Sequence, residues 1–64
     1  MKLNLLPNIS DPDGFYAELI GCQRDLGEEE ASRMNARLVL LLANHIGDRT
    51  VLGEAIRIAR APAG

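Results

Sequence analysis

The run Leu38-Val39-Leu40-Leu41-Leu42-Ala43-Asn44-His45-Ile46-Gly47-Asp48 constrains this chain more than any other segment. It reads as the second half of a helix that is apolar over most of its circumference. At about 100° per residue, Ala31, Met34, Leu38, Leu41, Leu42 and His45 fall in one sector. Ser32, Ala36, Val39, Ala43 and Ile46 fall in a second, with Leu40 at its edge. Only a strip with Arg33, Arg37 and Asn44 is plainly polar. A surface helix in a monomer needs one apolar stripe. This one carries two. The first sector is expected to face the neighbouring helices of the same chain. The second, built of small residues, suits the close approach of another backbone.

Size sharpens the problem. The chain has 64 residues, and a domain of about 60 residues buries only roughly 60% of its extended-chain surface. Domains this small lean on disulfides, metals or association. Cys22 is the single cysteine and His45 the single histidine. That excludes an internal disulfide and a standard structural zinc site within one chain, and no cofactor is expected. Association remains. The sequence therefore predicts a homodimer whose interface is Ser32, Ala36, Val39, Leu40, Ala43 and Ile46. A larger protein partner is the other candidate occupant. In the competing reading, the first and third helices flank the middle one and cover both sectors.

Hydrophobic content is 47% and charged content 25%, a globular rather than a disordered composition. The net charge of -2 lacks the basic footprint of a nucleic-acid binder. The longest apolar run, Leu38 to Ala43, is far too short to span a membrane. The start of the chain, broken by Asn4 and Pro7, does not read as a signal peptide. A lone thiol fits a reducing, cytoplasmic setting.

The expected fold is one all-α domain over residues 1–64, with helices at about 12–24, 28–46 and 49–60. Residues 2–9 form an extended arm, which Pro7 keeps from becoming helical. Leaving three leucines and Ile9 in water is costly, so the arm is expected to dock. Asp11 suits the N-cap of the first helix and Pro12 its first position, where a missing N–H costs nothing. Phe15, Leu19 and Cys22 share a face, flanked by Tyr16 and Ile20. Gly27 is expected to end the first helix and begin the second. Glu28, Glu29 and Glu30 suit the positive helix end, and Glu29 to Arg33 is a favourable i,i+4 pair. Gly47 and Asp48 are expected to form the corner into the third helix. Its apolar stripe is Val51, Leu52, Ala55, Ile56 and Ala59, with Ile58 at the edge. Thr50, Gly53, Glu54, Arg57 and Arg60 form its wet face, and residues 61–64 its tail.

Three polar residues are candidates for a site: Tyr16, Asn35 and His45. His45 could act as an acid or base, but catalysis needs a partner in hydrogen-bond reach and no spacing fixes one. A core histidine at a helix end is the preferred reading. Asn35 intrudes on the apolar arc and is expected to set register or interface geometry. Tyr16 could reach Asn35 or His45 across the bundle. Cys22 reads as a buried, unreactive thiol. Arg49, Arg57 and Arg60 suggest a DNA-recognition helix, yet the Gly47-Asp48 joint is shorter than the usual helix-turn-helix turn. Non-enzymatic protein interaction is the leading functional expectation. A small enzyme or ligand binder using His45 comes next, and DNA binding through the third helix last.

The segments Asp11-Pro12-Asp13-Gly14-Phe15-Tyr16 and Asn35-Ala36-Arg37 through Gly47-Asp48, with Leu19 between them, resemble a small bacterial family, domain-of-unknown-function family 2783. The resemblance covers nearly the whole chain and carries no activity. The resemblance implies a gene setting beside flavin-dependent aromatic hydroxylases, and with it a small accessory subunit of a flavin-dependent oxidoreductase, which no residue of the chain itself indicates.

Overall fold

A computed structural model of the chain describes residues 2–62. Helix α1 runs over Pro12–Gly21, α2 over Glu28–Ile46 and α3 over Arg49–Arg60. No strand occurs among the described residues. The fold is an all-α, three-helix domain.

The helix starts are built as the sequence requires. Asp11 caps α1 by accepting from the N–H of Gly14 at 3.1 Å, and Pro12 follows at the first helical position. Gly27 precedes α2 in an extended conformation without a side-chain cap, and the three glutamates stand in the first turn. Arg33 bridges Glu29 at 2.6 Å and Glu30 at 2.7 Å. Both pairs are exposed, so each stabilises by at most about 1 kcal/mol. Gly47 closes α2 in the left-handed conformation, φ 73°, and donates to Ala43 O at 2.8 Å. A β-carbon is disfavoured there. Asp48 then caps α3, accepting from Thr50 N at 2.9 Å and Val51 N at 3.1 Å. A helix end, a left-handed residue and an N-cap thus fit into two residues and turn the chain sharply.

The first helix is shorter than the periodicity predicts. It ends at Gly21, with Cys22 as its C-cap. Residues 22–25 form turns in which Gln23, Arg24 and Leu26 each donate to the carbonyl three residues back. Glycine propagates a helix poorly, and bonds to the third residue back tighten a frayed end. Gly27 therefore starts α2 but does not cap α1. Residues 61–64 were expected to form a tail. Ala61 caps α3 in an extended conformation, and the tail is described only to Pro62, with Ala63 and Gly64 outside the described residues.

The helices do not close around a core. Val51, at 5% exposure, is the one buried side chain among the described residues. Leu19, Ala31, Met34, Leu38, Ala43, Leu52 and Ala55 are half-buried. The radius of gyration is 13.5 Å, against about 11 Å for a compact chain of this length. The accessible surface is 5886 Å². A folded monomer of 7.0 kDa exposes roughly 4,000 Å². The single chain is therefore an open scaffold.

Candidate interaction surface

Helix α2 meets its neighbours on two different sides. On one side, Cys22 Sγ lies 3.7 Å from Met34 Sδ, and Gln23 Nε2 donates to Asn35 Oδ1 at 2.8 Å. These contacts tie the turn after α1 to the first half of α2. On the other side, Val39, Leu40, Leu42, Ala43 and Ile46 form a groove with Arg49, Leu52, Ala55, Ile56 and Ala59 of α3. Its volume is about 520 Å³, and Arg49 is the one charged residue on its wall. A shallower depression of about 330 Å³ lies between Arg37, Leu40, Leu41 and Asn44.

Both apolar sectors of α2 are left largely open. Leu40 and Leu41 are each 69% exposed, Val39 63% and Leu42 50%. Helices α1 and α3 do not pack along α2 to cover its two sectors, as the competing reading requires. Leu41 and Leu42 were expected to face α1 and α3, and both are exposed. The cause is geometric. Only the first half of α2 is tied to the segment after α1, and the tight 47–48 corner brings α3 in over the second sector.

Four of the six interface residues expected from the sequence lie along this groove. Val39, Leu40, Ala43 and Ile46 line the groove. Ser32 and Ala36 are exposed on the first half of the same helix. Pattern analysis missed the matching α3 wall as part of the same surface. Its signal was present, because Leu52, Ala55, Ile56 and Ala59 repeat at helical spacing on the helix that follows so short a joint.

The polar candidates are not brought together. His45 is exposed rather than set among leucines, and it lines none of these depressions. Asn35, also exposed, accepts from Gln23 and stands about 15 Å from His45 along the helix axis. Tyr16 is exposed and bonds neither. Cys22 is exposed rather than buried, with its Sγ 3.2 Å from Leu19 O. Among the described residues no cluster of His, Cys, Asp and Glu could hold a metal ion. Among the same residues no helix is long and apolar enough to cross a membrane.

Two expectations for the surface need correction. The N-terminal arm does not dock on its own chain. Leu5, Leu6 and Ile9 are exposed and only Leu3 is half-buried. Asn4 Oδ1 accepts from Leu6 N at 2.9 Å, a local turn that competes with an extended strand-like path. On α3, Gly53 and Glu54 are half-buried instead of wet. The guanidinium groups of Arg49 and Arg57 lean over Gly53, leaving 3.2 Å and 3.7 Å to where a β-carbon would stand. Long arginine stems cover neighbouring surface in this way.

An open three-helix scaffold with a two-sided apolar middle helix is the class of object that these features define. A family model described as "Protein of unknown function (DUF2783)" matches residues 3–61, and the chain belongs to that family. No curated protein and no solved structure matches it.

Proposed function

We propose that the chain is a non-enzymatic protein-interaction module whose fold is completed by another polypeptide. One observation carries this reading. Among the described residues fourteen large hydrophobic side chains are exposed and a single one is buried, which inverts the usual economy of a folded domain. Contiguous apolar surface on this scale marks protein contact. Five of the fourteen, Val39, Leu40, Leu41, Leu42 and Ile46, belong to one helix.

The finer reading is an accessory subunit of a flavin-dependent oxidoreductase. Its support is the genomic setting implied by the family resemblance, not a residue of this chain. The reading with His45 as a catalytic or ligand-binding group has no geometric support, because Asn35 and Tyr16 lie elsewhere. DNA binding through α3 is also poorly supported, since Arg49 borders the apolar groove and Arg57 leans over Gly53.

A photo-crosslinking residue placed at Leu40 in living cells tests the proposal. Leu40 lines the groove and is open to solvent in the single chain. Crosslinking to a polypeptide, another copy or a different protein, is the expected result. The same probe at Arg57 is the control. No adduct above the Arg57 background would defeat the proposal. An adduct with an oxidoreductase would establish the finer reading.

A further inference from the structure

We infer that the outer face of α3 binds a phosphate group between Arg49 and Arg57, over the bare backbone of Gly53. This goes beyond the interaction reading, because Gly53 and Arg57 lie outside the α2–α3 groove.

The geometry is a convergence. Arg49, Gly53 and Arg57 follow one another at helical i,i+4 spacing, so they stand on one strip of α3. The two arginine side chains bend along the axis toward the glycine between them. Nη1 of Arg49 ends 3.2 Å, and Nη1 of Arg57 3.7 Å, from the point where a β-carbon at residue 53 would stand. Residue 53 has no side chain, so nothing of its own fills the space between the two guanidinium groups. Both arginines are exposed.

Charge says what that space suits. Two cations held together repel each other. Among the described residues neither arginine pairs with a carboxylate or donates to a carbonyl. Glu54, the one carboxylate within α3, is half-buried and stands about 100° around the helix from Gly53. Asp48 is turned to the N–H groups of Thr50 and Val51. Arg49 also opens α3, whose first turn has no acidic residue. The helix dipole opposes a cation at that end and favours an anion beside it. A phosphate group answers each of these conditions. It carries close to two negative charges at neutral pH, one for each guanidinium. Its oxygens accept charge-assisted hydrogen bonds of about 2.8 Å from both arginines at once. A carboxylate, with one charge, leaves one arginine uncompensated.

The test is a titration of the labelled full chain with inorganic phosphate, followed through the NMR signals of the Gly53 amide and the arginine Nε–H groups, against chloride at equal ionic strength. Phosphate should give saturable shifts at Arg49, Gly53 and Arg57, and chloride should not. Arg57→Gln should weaken binding about fivefold or more, the scale of a lost charged hydrogen bond. Gly53→Leu should do the same with the charge unchanged, because it fills the space, and leucine favours the helix more than glycine does. Arg24→Gln, which removes a charge from the turn after α1, should leave binding as it is. Co-sedimentation with phosphatidic acid vesicles, set against phosphatidylcholine vesicles, identifies the source. Retention on phosphatidic acid that Arg57→Gln abolishes places the phosphate on a lipid, and phosphate binding without retention places it on a soluble molecule. Equal shifts with chloride, or equal weakening by Arg24→Gln, would show attraction by net charge alone and overturn the site. The absence of any saturable shift overturns it as well. Loss of the groove's partner would leave this inference standing, and loss of phosphate binding would leave the interaction reading standing.

Discussion

The carboxylate of Asp11 fills the space that a side chain at residue 14 would need. A β-carbon built on Gly14 would come to 2.7 Å from Asp11 Cγ, while Gly14 N–H donates to Asp11 Oδ1 at 3.1 Å. Asp11 itself is left-handed, φ 53°, a conformation that aspartate tolerates better than most residues. The Asp-Pro-Asp-Gly segment is thus one device, in which the cap needs the glycine as much as the helix needs the cap.

The two positions should therefore be coupled. Asp11→Ala is expected to cost about 1 kcal/mol through the lost cap. Gly14→Ala gains about 1 kcal/mol of helix propensity but displaces the carboxylate, so in the unmutated chain it should be neutral or destabilising. In the Asp11→Ala background the same change should stabilise. Thermal melts of the four variants at one protein concentration measure this, and additive effects would refute the coupling.

The Gln23–Asn35 hydrogen bond is the side-chain amide link between the turn after α1 and the middle helix. Both groups are accessible enough to bond water instead. Asn35→Ala should therefore cost about 0.5–1.5 kcal/mol, and hydrogen exchange should quicken across Pro12–Gly21 while α3 is unaffected. Uniform quickening over all three helices would show that this bond does not act locally.

Local rules made the helices legible. The bounds of α2 and α3 follow from Gly27, Gly47 and Asp48, each of which acts within its own turn of chain. The early end of α1 was less legible, because Gly21 lies inside an apolar stripe whose spacing continues to Cys22. The double stripe of α2 announced unfilled apolar surface, and that surface is present. What periodicity cannot give is the packing direction of one helix on another. Leu41 and Leu42 share a sector with Met34 and Leu38, yet only the latter pair is half-buried. His45 was misplaced for the same reason. The arm was assigned a docked position on hydrophobicity alone, and hydrophobicity does not say whether the dock lies on the same chain.

Asp48 should give α3 a dependence on acid. Its carboxyl is held below the ordinary value, most strongly by the N–H of Val51, with desolvation opposing and the N–H of Thr50 assisting. A lowered folded-state pKa contributes stability that is present above the unfolded value and lost as pH falls through the folded one. The unmutated chain should thus lose this contribution below about pH 4. Asp48→Asn can still accept both N–H groups, and its melting midpoint should fall less between pH 5 and 3. Equal slopes for the two proteins would place the acid sensitivity elsewhere.

The last prediction treats exposed residues as if they were core. Leu40 is 69% exposed in the single chain, and substitutions at such sites ordinarily change stability by no more than about 0.5 kcal/mol. If a partner chain covers the groove, Leu40→Ala should instead cost about 2–3 kcal/mol, the scale of a buried leucine. Ala36→Glu and Ala43→Glu should each give unfolded chain or soluble monomer, because they place an unpaired charge at the contact. Arg57→Glu on the outer face of α3 should leave assembly unchanged. Melts over a hundredfold range of protein concentration provide the measurement. Association makes the midpoint rise with concentration, and the Leu40→Ala midpoint should lie well below that of the parent throughout. A concentration-independent midpoint that Leu40→Ala does not move would mean that the open surface of α2 is left open in the folded state, and the interaction reading would have to be given up.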